Sequence, residues 1–263
     1  MKILFITGTH PRHAYLARVL ESTGCLSTLI LEQRETFIPQ PPKNISHELK
    51  ELFKHHFQSR EKTELSGFGE AIFPDVNTLM TTKEALNQSQ VQSAIKEIEP
   101  DLLLTYGCHK LTNETLNCAD KEKWNCHGGL SPWYKGAVTH FWPSYMLEPQ
   151  MTGMTVHDLT DSLDAGDIVH QCSVNLEIGD KLHDLAVKSV RTLGQELPKL
   201  IELLKSNQNI KKQSHPSSGM LWLGSKWRAE HLELIYKHYN DDIVDHYLEG
   251  KIQQNPPSLY RQF

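Results

Sequence analysis

At 263 residues, with 38% hydrophobic and 22% charged residues, the chain has room for one substantial α/β domain and a small appendage. No apolar run approaches the length needed to cross a bilayer, and Met1-Lys2-Ile3-Leu4-Phe5-Ile6 is too short for a signal peptide, which predicts a cytoplasmic protein with no membrane partner. A formal net charge of −5 argues weakly against a nucleic-acid partner, because such binding leans on Lys and Arg contacts to phosphate.

Lys2–Thr7 is a short apolar run that ends at Gly8, the pattern of a first strand. His13–Ser22 follows with Tyr15, Leu16, Val19 and Leu20 at helical spacing, and Leu26–Leu31 reads as the second strand. Gly8 lacks the further glycines of G-x-G-x-x-G, so nicotinamide cofactors are not expected. Pro39-Gln40-Pro41-Pro42 breaks the chain. Ile45–Leu65 then predicts a charged helix with Leu49, Leu52, Phe53 and Phe57 on one face and His55-His56 on the solvated one. Glu84–Ile98 predicts another helix, stopped by Pro100.

Asp101–Gly107 reads as a buried strand opening into a glycine turn, with a weakly marked helix after it. Further strands are expected at Lys123–His127, Thr155–Leu159 and Asp167–Leu176. Leu182–Leu204 is a long amphipathic pattern with Asp180 as candidate N-cap. Ser206–Gly219 is polar, with Pro216-Ser217-Ser218-Gly219 as a linker or turn, and Trp227–Gly250 is helix-rich. The expected organisation is an α/β domain with a mostly parallel sheet over 1–206 and a helical extension over 207–263. Leu232, Ile235, Tyr239, Ile243 and Tyr247 recur at helical spacing in that extension, which is too short to bury them alone and must pack on its own domain or on a second subunit.

The five cysteines are odd in number and show no C-x-x-C spacing, so they read as reduced thiols, and no metal is expected. The densest chemistry lies in Asn125-Cys126-His127-Gly128-Gly129-Leu130-Ser131-Pro132 and Ser162-Leu163-Asp164-Ala165-Gly166-Asp167. Asn125 and His127 sit two apart, so on a strand both face one side and Cys126 faces away. An amide donor, a titratable ring and a carboxylate make a kit for attack on a carbonyl, although Asn-x-His at a strand end is also ordinary turn chemistry. The loop Gly8-Thr9-His10-Pro11-Arg12-His13 is where α/β folds meet phosphates, and equally a lead into a helix with Pro11 in its first turn. Trp133, Tyr134, Phe141 and Trp142 could stack on a base or sugar, with core packing the commoner use.

Asn125-x-His127-Gly128-x-Leu130-x-Pro132, then Tyr134-Lys135-Gly136, Thr152-Gly153-x-Thr155-Val156 and Leu163-Asp164-x-Gly166, in this order, resemble the formyltransferase family. That family uses 10-formyltetrahydrofolate and includes the methionyl-tRNA, glycinamide ribonucleotide and nucleotide-sugar N-formyltransferases. The resemblance implies a Rossmann-like formyltransferase fold with Asn125 as oxyanion donor, His127 as proton carrier and Asp164 as a carboxylate that orients His127 or holds a relay water. It places the folate cosubstrate along Tyr106, Gly107, Cys108, His109, Lys110 and Leu111 and the Asp161–Asp167 loop. A Leu-Pro pair stands near His109–Leu111 in tRNA members, and the larger C-terminal β-barrel of that branch has no counterpart here. The chain therefore looks nearer the sugar-modifying members, which implies a nucleotide-linked amino sugar as acceptor, lipopolysaccharide biosynthesis as setting and a homodimer as the assembled form. Thr9, His10, Arg12 and Lys135 are the candidates to hold that acceptor. Other acceptors, an aminoacyl-tRNA or a small amine, and a folate-binding protein without turnover are the alternatives.

Overall fold

The computed structural model describes residues 1–33, 38–214 and 219–263, so the Pro216–Ser218 part of the expected linker lies outside the described residues. Short apolar runs become the centre of a sheet. Strand β1 (Ile3–Thr7) is followed by helix α1 (Pro11–Ser22), β2 (Leu26–Glu32), α2 (His47–Phe68), β3 (Asn77–Thr81) and α3 (Ser89–Ile98). Then come β4 (Leu102–Tyr106), α4 (Asn113–Leu116), β5 (Glu122–His127), β6 (Tyr134–Gly136) and α5 (Trp142–Tyr145). The chain continues through β7 (Gly153–Asp158), β8 (Ile168–Ser173), α6 (Leu182–Lys205), β9 (Met220–Trp222), α7 (His231–Glu233) and α8 (Ile243–Leu248).

The main sheet has the order β3-β2-β1-β4-β5-β7-β8. Strands β1 to β5 pair in parallel, while β7 and β8 run antiparallel to their neighbours. Every residue of β1 and β4 is buried, as strands covered on both faces require. Alternation divides the core: Ile3 and Phe5 pack with Leu16 of α1 and Leu193 and Leu197 of α6, whereas Leu4 and Ile6 pack with Val91 and Ile95 of α3. Successive strands run outward from β1 through β2 on one side and from β4 through β5 on the other. The order therefore reverses between β1 and β4, and a crevice opens at the strands' C-terminal ends.

Several expected elements shift. Strand β3 was not legible because Asn77-Thr78-Leu79-Met80-Thr81 is a mostly exposed edge with no apolar run. Helix α2 starts one residue after Ser46, whose Oγ accepts the Leu49 N–H at 3.2 Å, and it runs on to Phe68. Its expected solvated histidine, His56, is instead buried, at 5% exposure. Glu84–Gln88 does not join α3, which begins at Ser89. Asp180 does not cap α6: the cap is Lys181, whose N–H the Asp184 carboxylate accepts at 3.0 Å, while Asp180 accepts the Glu177 N–H and pairs with Lys188.

The extension breaks into α7, a π turn over Leu234–His238 and α8. Its apolar face is covered by the chain itself: Leu232, Ile235 and Ile243 share a core with Phe53 of α2, Phe141, Trp142 and Leu182. Strand β9 pairs with β6, and Tyr260 lies against β8, its carbonyl accepting the Gln171 N–H at 2.7 Å.

Candidate active site

Adjacent strand ends bring the polar residues together. The parallel register sets Thr105 of β4 beside Asn125 of β5, and the antiparallel register sets Asn125 beside His157 of β7. The Thr105 hydroxyl donates to Asn125 Oδ1 at 2.8 Å, which fixes the direction of the amide. One hydrogen of Asn125 Nδ2 then reaches His157 Nε2 at 3.1 Å, leaving the second for a ligand. The His157 Nδ1–H donates to the Asp158 carbonyl at 2.8 Å. The Nε2 of His157 thus accepts from Asn125 and lies 3.4 Å from Asp164 Oδ1.

His127 Nε2 donates to the Tyr134 carbonyl at 2.8 Å, so Nδ1 is the atom free to take a proton. That Nδ1 stands 3.6 Å from Asp164 Oδ2, which also accepts the Gly136 N–H at 2.7 Å. Burial pushes the His127 pKa down, partly countered by the Asp164 charge, so the ring rests neutral. Burial alone would raise the Asp164 carboxyl; His127, His157 and the Gly136 N–H outweigh it and hold the group well below the usual carboxylate range. Cys126 faces the opposite core, where burial pushes its thiol up to about 12, as befits a packing residue.

Two glycines are required by close approach. A Cβ on Gly166 would lie 1.9 Å from the Asp158 carbonyl oxygen, so only glycine lets the loop carrying Asp164 fold back onto β7. A Cβ on Gly129 would lie 2.4 Å from the Tyr134 oxygen and 2.8 Å from His127 Nε2, against the bond that orients the imidazole. Asp164 itself adopts φ +46°, a left-handed conformation that aspartate tolerates better than most residues.

A cavity of about 450 Å³ opens over this group. All six residues from Tyr106 to Leu111 line it, as do Asn125, His127 and Asp164. His109 is held there by Glu32, which is fully buried at the end of β2, accepts the His109 N–H at 2.7 Å and pairs with the His109 ring. Arg12 also lines it, paired with Glu64 at 2.6 Å. Other expected contacts do not gather here. Thr9, His10 and Lys135 lie off the cavity, Lys135 being buried on β6. Asp161 is exposed in a turn outside the lining, and Asp167 accepts the Ser214 hydroxyl at 2.8 Å. Of the aromatic cluster, Tyr134, Phe141 and Trp142 are core residues, with Phe141 also reaching the cavity wall, and Trp133 is exposed.

Sequence reasoning missed His157, His56 and His183, all on the cavity wall. Thr155-x-His157 repeats the two-residue spacing of Asn125-x-His127, and this was the available signal for His157. Burial drives the His183 pKa down to about 3, so that ring is neutral. Among the described residues, no group of three or more His, Cys, Asp or Glu side chains could hold a metal ion, and no helix is long and apolar enough to cross a membrane.

The fold is shared with solved proteins of low sequence identity. A sugar N-formyltransferase from a Shewanella species superposes with a TM-score of 0.55 at 14% identity, over 89% of this chain and 87% of that one. The N-formyltransferase from Helicobacter canadensis, in complex with folinic acid and dTDP-3-aminofucose, gives 0.53 at 18%, over 91% of this chain and 82% of that one. A phosphoribosylglycinamide formyltransferase from Anaplasma phagocytophilum gives 0.55 at 17%, over 84% and 96%. The sequence profile described as formyl transferase matches residues 28–201, about two thirds of the chain, and includes β4, β5, β7 and the Asp164 loop. The chain belongs to the formyl transferase family.

Proposed function

We propose that the chain is an N-formyltransferase that moves the formyl group of 10-formyltetrahydrofolate to the amine of a nucleotide-linked amino sugar. The observation that carries this reading is the Asn125 amide, pinned by Thr105 so that Nδ2 keeps a free hydrogen, beside a neutral buried His127 backed by ionised Asp164 on one cavity wall. The residues fit a formyl donor: a preset N–H for an oxyanion, a base with one open nitrogen, and a cavity of about 450 Å³ walled by the Tyr106–Leu111 strand end. The acceptor assignment is supported by fold neighbours such as the Helicobacter canadensis protein, with its folinic acid and dTDP-3-aminofucose.

In this reading the Asn125 Nδ2–H donates to the oxygen of the attacked formyl carbon as negative charge develops there, an interaction absent from bulk water at such strength. His127 accepts the amine's proton at Nδ1, and the new N–H turns its charge toward Asp164. The same proton then goes to the departing folate nitrogen, returning His127 to neutrality. Asp164 stays ionised throughout, since its three partners favour the charged form. His157 steadies Asn125 from the other side. Arg12, which lines the cavity paired with Glu64, is the side chain that would meet the acceptor's phosphates.

The test is acceptor-dependent release of tetrahydrofolate across a panel of nucleotide-linked amino sugars, glycinamide ribonucleotide and methionyl-tRNA. The proposal expects release with at least one sugar nucleotide. Turnover with glycinamide ribonucleotide or methionyl-tRNA alone would overturn the acceptor, and folate binding with no turnover on any acceptor would overturn the transferase.

A further inference from the structure

His127, Thr155 and Gln171 form one row across β5, β7 and β8, each directly opposite the next in the antiparallel registers, so their side chains share a face. Gln171 is 2% exposed and Thr155 is fully buried. A buried primary amide must satisfy both ends, and Gln171 does so with unequal neighbours. Its Oε1 accepts the Tyr260 N–H at 3.1 Å, from the C-terminal segment that lies along β8. Its Nε2 donates to the Ser131 carbonyl at 2.7 Å and to Thr155 Oγ1 at 3.2 Å. Thr155 Oγ1 in turn donates to the Gly129 carbonyl at 2.7 Å and accepts the Ser131 N–H at 3.0 Å. Gly129 is the residue whose close packing against Tyr134 O and His127 Nε2 leaves no room for a Cβ.

We propose that Gln171 is a positioning residue that suspends the Gly129–Ser131 loop, and through it His127, from the C-terminal segment. The segment is itself anchored where the link needs it. The Gln262 N–H donates to His170 Nδ1 at 3.1 Å, its side chain donates to the Val169 carbonyl at 2.6 Å, and Arg261 pairs with Glu196, which also holds His170 Nε2 at 2.8 Å. A run of hydrogen bonds through buried groups thus joins Tyr260 to Gly129 and Ser131, and Gly129 packs against the Tyr134 carbonyl that His127 Nε2 bonds. Because hydrogen bonds in such a chain align one another, loss of one member loosens the rest. The link does not require the formyl-transfer reading; its kinetic consequence rests on it.

The experiment uses the full chain and three variants, Gln171→Leu, Gln171→Glu and Arg261→Ala, each read by amide hydrogen exchange and by kcat and KM for transfer. Leu removes both ends of the link. Glu keeps an acceptor for Tyr260 but turns the donor facing Ser131 into an oxygen. Arg261, with a half-exposed side chain, loosens the segment without touching the core and keeps the test alive if a buried variant fails to fold. Expected are faster exchange at Gly129 and Ser131 in all three, with Tyr260 staying protected in Gln171→Glu alone. Transfer should lose about 10- to 100-fold in kcat in the Gln171 variants, the scale of a misplaced catalytic group, at nearly unchanged KM for the folate. Exchange at Gly129–Ser131 and kcat both within about twofold of wild type in a folded Gln171 variant would overturn the proposal. If the wild-type chain transfers no formyl group, the functional reading fails while the exchange arm still decides the link.

Discussion

Replacing Asp164 by Asn should separate the electrostatic work of this carboxylate from its structural work. The Asn carbonyl can still accept the Gly136 N–H, now 2.7 Å from Oδ2, and the left-handed φ of +46° suits Asn as well as Asp, so the loop should keep its shape. What disappears is the charge 3.6 Å from His127 Nδ1. At an effective dielectric of about 20, that separation corresponds to about 4–5 kcal/mol between unit charges, an upper limit on what Asp164 gives the imidazolium. A transition state carrying part of that charge should then lose about 10²- to 10³-fold in kcat, with KM for folate nearly constant. Because Asp164 raises the His127 pKa against burial, its loss lowers that pKa further. The acid limb of kcat/KM should therefore move to lower pH while the plateau drops. Steady-state kinetics from pH 4.5 to 8.5, roughly the span a perturbed histidine covers, would show both effects. A kcat within tenfold of wild type, or an acid limb that stays in place, would refute the electrostatic role.

Asn125→Ala should cost about 10²–10³ in kcat and leave folate affinity measured by calorimetry nearly unchanged, since it removes an oxyanion donor. Gly166→Ala should destabilise the fold by about 3 kcal/mol in urea titrations, the upper end for overpacking, because the new methyl meets the Asp158 carbonyl at 1.9 Å. Stability should also fall in acid. His183, held at about 3 against an ordinary 6.5, is neutral in folded and unfolded chains above pH 6.5, and below it the unfolded chain takes the proton first. The loss begins as pH drops through 6.5 and continues to about pH 3, amounting to about 2 kcal/mol at pH 5 for this one residue, so His183→Gln should flatten the pH dependence of the urea midpoint. Leu232→Ala should cost about 2–5 kcal/mol in a single cooperative transition, because Leu232 is fully buried in a core shared with Phe53 and Phe141; a separate early transition for the extension would contradict that sharing.

The placement of much of the candidate site is legible because its residues fall at strand ends, where apolar runs stop and polar spacing shows. Asn125 and His127 alternate with buried Cys126, and the loop glycines mark close approach, so one-dimensional pattern already placed them on one face. His157 was not legible in the same way. It joins the group through a cross-strand register between segments 32 residues apart, and only the sheet order shows that β7 lies beside β5. His56 was assigned to solvent by the charge around it, whereas the aromatic core contributed by the extension covers that face of α2. For the same reason the apolar stripe of the extension, which the sequence left open to a second subunit, finds its partner within the chain. Only loop position and motif adjacency point to Thr9, His10 and Lys135, and neither measures distance to a cavity.

The chemistry assigned to the Asn125–His127–Asp164 group is transfer of a formyl group onto a sugar amine. Its most direct measurement is the mass of a nucleotide-linked amino sugar after incubation with the protein and 10-formyltetrahydrofolate carrying a ¹³C-labelled formyl carbon. The expected product is heavier by one labelled formyl group, formed by the wild-type chain and lost in His127→Ala while folate still binds. Unlabelled sugar across the nucleotide-sugar panel, or labelled product formed equally well by His127→Ala, would contradict it.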